Sequence, residues 1–151
     1  MATPQAIAPV VEWLLGVLQG MTVEQLGDLA PFGEFHQSWS WVFVNWPPVG
    51  VVPMTSQFDS EIVGAVASVN RLKIKFGVNG LDPDRVTADA INYMLAISAA
   101  IYQADHDAPC PNSKRLFIVD HDYGPLFSGP NGGGFAKFPE MHLEVEITEP
   151  L

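Results

Sequence analysis

The residues of this chain best suited to chemistry are its four histidines and the acids near them. They are His36, His106 beside Asp107, His121 beside Asp122, and His142 two residues after Glu140. Imidazole and carboxylate are the right ligand types for a transition metal, but a site needs three or four of them converging on one point. His106 follows a helix-like segment, His121 closes a strand-like one, and no pair of histidines has the spacing that places two ligands on one helical face. They read as solvated loop residues. The glycines of the run 129–134 resemble a phosphate cradle only superficially, because such a loop carries a Lys-Ser or Lys-Thr pair and opens a helix. Here a strand-like segment follows, so the run reads as a hairpin tip. Cys110 stands between Pro109 and Pro111 with nothing beside it to depress a thiol pKa. No Gly-x-Ser-x-Gly nucleophile elbow occurs. Asp82, Asp84 and Asp89 fall at a helix start, where capping accounts for the first two. These patterns predict no catalytic, cofactor-binding or metal-ligating residue.

Composition narrows the classes further. The 151 residues are one domain's worth of chain, expected to fold as a single unit over 1–151, and 48% hydrophobic residues supply one sizeable core. Seventeen acids against seven bases give a formal charge of -10. That balance argues against general nucleic-acid binding, which needs clustered Lys and Arg. A single cysteine excludes a disulfide framework or a cysteine-based zinc site within one chain. No Lys or Arg precedes Arg71, and the early apolar stretch is too short to span a bilayer. The expectation is a soluble, acidic, globular protein that is intracellular or assembled inside a cell, with no membrane segment.

The elements that must position these residues follow from periodicity. Val10, Val11, Leu14, Leu15 and Leu18 recur with helical spacing after Pro9, predicting a helix over 8–19 with Gly20 as a left-handed stop. Thr22-Val23-Glu24-Gln25 carries a capping-box pattern for a second, short helix. The aromatic and β-branched run in 35–53, closed by Pro47-Pro48, suits a strand, with a short edge strand over 49–54. Over 71–79, Leu72, Ile74, Phe76 and Val78 alternate with Arg71, Lys73, Lys75 and Gly77, a half-buried strand with its basic face outward. The segment 62–69 prolongs that strand or pairs with it. Asp82-Pro83-Asp84 starts a helix reaching to about Ala104. The segment 115–121 is apolar on both faces and reads as a central strand, 123–140 as a long flexible loop, and 141–148 as a last alternating strand. The fold class is α+β: an antiparallel or mixed sheet packed by an N-terminal helix and a long central helix.

Two surfaces stand out as interaction candidates. Trp39, Trp41 and Trp46 fall within eight residues, and strand alternation would set Trp39 and Trp41 on one face. One such face is core by default, yet aromatic anchors in this density are also what protein interfaces use. The bases Arg71, Lys73 and Lys75 share one strand face, and Glu144 and Glu146 decorate the polar face of another. Cross-strand pairing of opposite charges predicts that these strands lie close together, contributing roughly 0.2–1 kcal/mol per pair. The alternative is that the basic face meets an acidic surface on a neighbouring subunit.

This order of elements resembles the tail terminator proteins of long-tailed bacteriophages, the lambda-type minor tail proteins that cap the tail tube. The matching features are the helix at 8–19, the aromatic strand closed by Trp46-Pro47-Pro48 and the strand Arg71-Leu72-Lys73-Ile74-Lys75-Phe76-Gly77-Val78. The Asp-Pro-Asp helix at 82–104 and the two final strands at 115–121 and 141–148 complete it. The resemblance spans most of the chain as a pattern of elements; the loop 123–140 is longer than the pattern asks for, and 54–68 has no clear place in it. It implies a virion structural protein of the neck, assembled in the host cytoplasm. Six copies would form a hexameric ring that stops tube polymerisation and presents a docking surface to the head connector or stopper protein. Its partners would be other copies of itself, the tail tube protein and that connector. DNA would pass through without specific binding, since six copies carry a formal charge of about -60. The resemblance implies neither catalytic residue nor cofactor. By position, the stretches 38–48 and 124–134, with Leu126 and Phe127 in the second, are the expected docking surfaces.

Three other readings remain open at this stage. The chain could be another neck protein, for head–tail joining or tail completion. It could be a small-ligand or metal-binding enzyme domain using His106, His121 and His142, or a free cytoplasmic binding module acting on the host.

Overall fold

A computed structural model describes residues 7–40, 42–59, 65–129 and 133–150. The chain opens with α1 (Ile7–Gln19), which turns Val10, Val11, Leu14 and Leu18 into the interior as its spacing requires. Gly20 does not stop it in the left-handed region; its N–H bonds the Gly16 carbonyl, and the left-handed glycine is Gly27, after the next helix. That helix, α2 (Val23–Leu26), has the expected capping box: Thr22 Oγ1 accepts from the Gln25 N–H, and Gln25 Oε1 accepts from the Thr22 N–H.

Among the described residues, eight strands follow. They are β1 (Glu34–His36), β2 (Pro48–Asp59), β3 (Ala65–Phe76), β4 (Val78–Gly80), β5 (Ser113–Asp122), β6 (Phe127–Ser128), β7 (Phe135–Lys137) and β8 (Glu140–Pro150). The long helix α3 (Pro83–Asp107) lies between β4 and β5, with Asp82 Oδ1 accepting from the Asp84 N–H at its start. The main sheet has the order β1-β2-β3-β8-β5. β1 runs parallel to β2 and the other pairings are antiparallel, so the sheet is mixed. A small second sheet has the order β4-β7-β6. The class is α+β as expected.

α1 and α3 cover one face of the main sheet. Their side chains Leu14, Leu18, Met94, Ile97 and Ile101 meet Val49, Val51, Leu72, Ile74, Phe76, Met141, Leu143 and Val145, all fully or almost fully buried. Alternation in β3 and β8 produces this face directly, each buried aliphatic side chain contributing about 1.5–3 kcal/mol. On β3, where Ser68 is also buried, Asn70 is the most buried polar exception. It accepts from Ser56 Oγ at 2.6 Å and donates to Ser68 Oγ at 2.9 Å, which ties β2 to β3 where the helices no longer reach.

Four expectations need correction. The aromatic strand expected ahead of Pro47-Pro48 is not one: β1 ends at His36, and the described residues 37–40 and 42–47 form loop ahead of β2. Its aromatic side chains gather on one another instead of alternating. The edge strand expected over 49–54 is the first part of twelve-residue β2, which sits between β1 and β3. β5 is an edge strand, not a central one. Its second apolar face is explained locally, because Phe117 lies under the Arg115 guanidinium and Val119 is exposed beside a bulge. It pairs with the inner strand β8, beyond which lies β3. Finally, 123–140 is not loop throughout, since β6 and β7 pair there and β7 joins β4. Trp41, residues 62–64 of the expected strand prolongation, and residues 130–132 of the glycine run lie outside the described residues.

Candidate interaction surface on the open face of the sheet

The face of the sheet turned away from the helices carries the other half of each alternation. Register places Arg71 opposite Glu144, Lys73 opposite His142 and Lys75 opposite Glu140 between β3 and β8. Across the next ladder His142 faces Asp120 and Glu140 faces Asp122 on β5. Arg71 Nε is 3.5 Å from Glu144 Oε2. Lys73 and Lys75 both reach Glu140, at 3.1 and 3.5 Å. The expected pairing of the two strands therefore holds, with one change of partner. Glu146 stands opposite Val69 and Arg115, away from the basic row, and Glu140 takes its place. The basic face is paired with acids of the same chain.

Glu140 is the hub of this network. Partial burial works to raise its pKa, and the hydrogen bond from Lys73 with the charges of Lys75 and His142 more than offsets that, leaving it below the ordinary glutamate value. His142 completes the row, with Nδ1 2.5 Å from Asp120 Oδ1 and Nε2 3.8 Å from Glu140 Oε1.

At the β1 end of the same face, the described loop residues 37–40 and 42–47 fold back over the strands. Trp39 packs on Phe43, with ring centroids 4.7 Å apart; Phe43 meets Trp46 at 5.9 Å, and Trp39 and Trp46 both meet Phe138, at 6.0 and 5.9 Å. Lys75 Nζ lies 5.3 Å from the Trp39 ring centroid, which joins the charged ladder to the aromatic cluster. Two glycines allow this approach. A Cβ on Gly77 would lie 2.7 Å from Trp46 Cζ3, and one on Gly50 would lie 2.8 Å from the Ser38 carbonyl and 3.4 Å from Trp39 Cε3. The Trp46-Pro47 peptide is cis.

Glu34 anchors the loop. Its carboxylate accepts the N–H groups of Asn45 at 2.5 Å and Val44 at 2.6 Å, and His36 Nε2 lies 3.3 Å away. The Asn45 N–H is the main cause that holds the Glu34 pKa below its ordinary value, aided by Val44 and His36 against a desolvation cost.

The candidate residues thus fall into two joined groups. Trp39 and Trp46 meet through Phe43 and Phe138, and Phe127 reaches the cluster through Phe138 at 5.8 Å. Trp46, Leu126 and Phe127 are 36%, 40% and 47% exposed, so the cluster has an apolar rim. Arg71, Lys73, Lys75 and Glu144 form the ladder, which Glu146 does not join. Sequence reasoning missed Glu34 and Phe138, took Phe43 only as part of the aromatic 38–48 stretch, and gave Glu140 only a metal-ligand role. The glycine at position 77, which breaks a regular apolar and basic alternation, is the signal that something packs closely there.

The remaining chemistry-bearing residues are dispersed. Ser98 Oγ is 2.9 Å from His121 Nε2 on the helix side, a nucleophile–base spacing. Among the described residues no acid bonds the other ring nitrogen of His121, and Ser98 lies in the middle of α3. Also among the described residues, no group of three or more His, Cys, Asp or Glu side chains is arranged to hold a metal ion. Burial, with the nearby Asp105 charge, pushes the Cys110 thiol up to about 12, so it stays protonated at neutral pH. Gly129 and Gly134 close a hairpin between β6 and β7 through a 2.8 Å backbone bond, and Lys137 Nζ donates to the Gly124 carbonyl behind it. No described helix is long and apolar enough to cross a membrane.

No protein-family model matches this chain, and no curated protein is similar to it in sequence.

Proposed function

We propose that this chain is a ring-forming virion structural protein of the tail-terminator type, which caps the tail tube of a long-tailed bacteriophage and offers a surface to the head connector. The observation that carries this reading is the placement of exposed apolar side chains. A small acidic chain leaves Val44, Trp46, Leu126 and Phe127 exposed around the aromatic cluster, and Ile91, Leu95 and Tyr102 exposed along α3. Two separate apolar surfaces suit a subunit with two kinds of neighbour, one around the ring and one along the tail axis. The order of elements supports it too: an N-terminal helix and one long helix lie on a mixed sheet with an aromatic loop at one end.

The charge distribution fits a duct. Arg71, Lys73, Lys75 and Arg85 are engaged by acids of the same chain, so the surplus of acids dominates the surface and DNA passes without being gripped. Quantitative mass spectrometry of purified particles tests the reading. About six copies per particle are expected, and zero copies would overturn it. A joining or tail-completion ring of the neck would use the same surfaces. Polymerisation of purified tube subunits separates the two, because only a terminator halts tube growth when added.

A further inference from the structure

We propose that the ring contact is head-to-tail: the start of β5 of one copy, with Lys114 and Arg115, seats against the α2–α3 groove of the next copy, whose rim carries Glu24 and Asp28. This rests on the ring reading above and names the surfaces that make the ring.

Charge bookkeeping leads to it. Of the seven bases, Arg71, Lys73, Lys75 and Arg85 are ion-paired within the chain, and Lys137 donates to a backbone carbonyl. Among the described residues, Lys114 and Arg115 have neither an ion pair nor a side-chain hydrogen bond and are both exposed at the sheet's edge, whereas Lys137, also without an ion pair, is buried. Arg115 stands opposite Glu146 in the ladder, yet its guanidinium lies 4.6 Å from the Phe117 ring centroid rather than on that carboxylate.

The α2–α3 groove is the counterpart. It is lined by Glu24, Asp28, Leu29, Arg85, Asp89 and Leu95 among others. Asp89 already holds Arg85 at 3.2 Å, so the charges left without an ion pair on the rim are those of Glu24 and Asp28. Two such acids face two such bases. The apolar parts match as well: Leu95 is 58% exposed on the groove side, and Val119 is 52% exposed further along β5.

A second copy is the occupant that this charge pattern favours. Chains of formal charge -10 repel one another, so they associate where their fields are locally opposite. Other acids also lack an ion pair among the described residues, Glu12, Asp84, Asp122 and Glu146 among them, but none of these lines this groove. One surface is a sheet edge and the other belongs to the helix layer. The contact is therefore heterologous, the kind that repeats around a closed ring. β5 is also a poor template for strand addition, with two bulges and with its Ile118 N–H taken by Tyr102 Oη at 2.9 Å. Side chains, not a continued ladder, make this contact.

Sedimentation equilibrium on the full chain tests it, with K114E/R115E and E24K/D28K as reversed variants and circular dichroism confirming that each folds. Wild type is expected near six times the 16.4 kDa subunit mass and to weaken as salt rises. Each reversed variant alone should need an about tenfold or higher concentration to assemble. Mixed in equal amounts they should assemble again in alternation, because each edge then meets a groove of opposite sign. Lys114→Glu alone, an exposed change that spares the Arg115–Phe117 stack, should weaken assembly in the same direction. Assembly unchanged by reversal, or lost without recovery in the mixture, would overturn the contact while leaving the ring. A wild-type chain monomeric at every concentration would overturn the ring reading and this contact with it.

Discussion

The two faces of the five-stranded sheet are closed by different physics. On one, Leu72, Ile74, Phe76, Met141, Leu143 and Val145 disappear under α1 and α3. On the other, the alternate residues of the same strands are Arg71, Lys73, Lys75, Glu140, His142 and Glu144, and what covers them is an ion-pair ladder and a folded loop. Burial under helices is non-directional and scales with area, so that face is robust to the exact shape of its side chains. The open face depends on aim. Two N–H groups must meet one carboxylate at Glu34, and two indole-bearing turns of the loop must sit where Gly50 and Gly77 leave room. It also leaves Trp46 and Phe127 partly uncovered, as the helix face does not leave Phe76 or Leu72. The robust face gives the chain its fold; the aimed face leaves an apolar rim exposed.

Substitutions can break that contrast, and the largest effect belongs to the helix face. Phe76 is fully buried, with ring centroids 6.0 Å from Phe32 and 5.5 Å from Tyr93. Phe76→Ala should cost about 3–5 kcal/mol in urea unfolding. A loss below about 1 kcal/mol would mean that the helix layer is not packed as described. On the open face, Gly77→Ala puts a methyl 2.7 Å from the Trp46 ring and should cost about 1–3 kcal/mol. In a Trp46→Ala background the same Gly77→Ala change should cost much less, since the two changes share one contact. An equal cost of Gly77→Ala in both backgrounds would place the strain elsewhere.

The helix face was legible in the sequence because it is periodic. Val10 to Leu18, Val86 to Ile101, and the alternations ending at Phe76 and starting at Met141 each repeat at the period of their own element, and Thr22 and Asp82 announce the helix starts with local hydrogen bonds. The open face was legible only where it is the complement of that period, as in the basic row on β3. The loop was misread as strand because aromatic and β-branched content favours a pleated surface only when a ladder partner exists. The described residues 37–40 and 42–47 have none in the sheet, and the partners that fold them, Glu34, Gly50, Gly77 and Phe138, are scattered over a hundred positions. β5 was misread as central for a related reason. Arg115 over Phe117 and Tyr102 at the Ile118 N–H cover an edge with side chains that no pattern within the strand reveals.

A smaller effect tests the ladder itself. Glu140→Gln removes the charge that serves both Lys73 and Lys75, leaving two half-buried ammonium groups close together. The expected loss is about 1 kcal/mol, and it should shrink in high salt because the pairs are partly exposed. Glu146→Gln, outside the network, should change stability by no more than a few tenths of a kcal/mol. If the two substitutions cost the same, Glu140 is not the hub.

The smallest effect is the pH dependence, where the face reports itself without changing the fold. The pKa of Glu140 and that of Glu34 are lower folded than the reference value of 4.5. Each group therefore contributes stability that is complete above about 4.5 and is lost as pH falls through the folded value. Other carboxylates titrate in the same window, so the informative curve is a difference. Wild-type minus Glu140→Gln stability should be level at neutral pH and fall toward zero below about pH 4.5, and the same subtraction with Glu34→Gln should behave alike. For Glu34 the loss should coincide with a change in tryptophan fluorescence, because protonating that carboxyl weakens its hold on the loop that carries Trp39 and Trp46. A flat difference curve for Glu34 with an unmoved fluorescence signal would show that the loop is held by its aromatic packing alone. The open face would then be closed by the same area-driven burial as the helix face, with its carboxylates as ornaments on it.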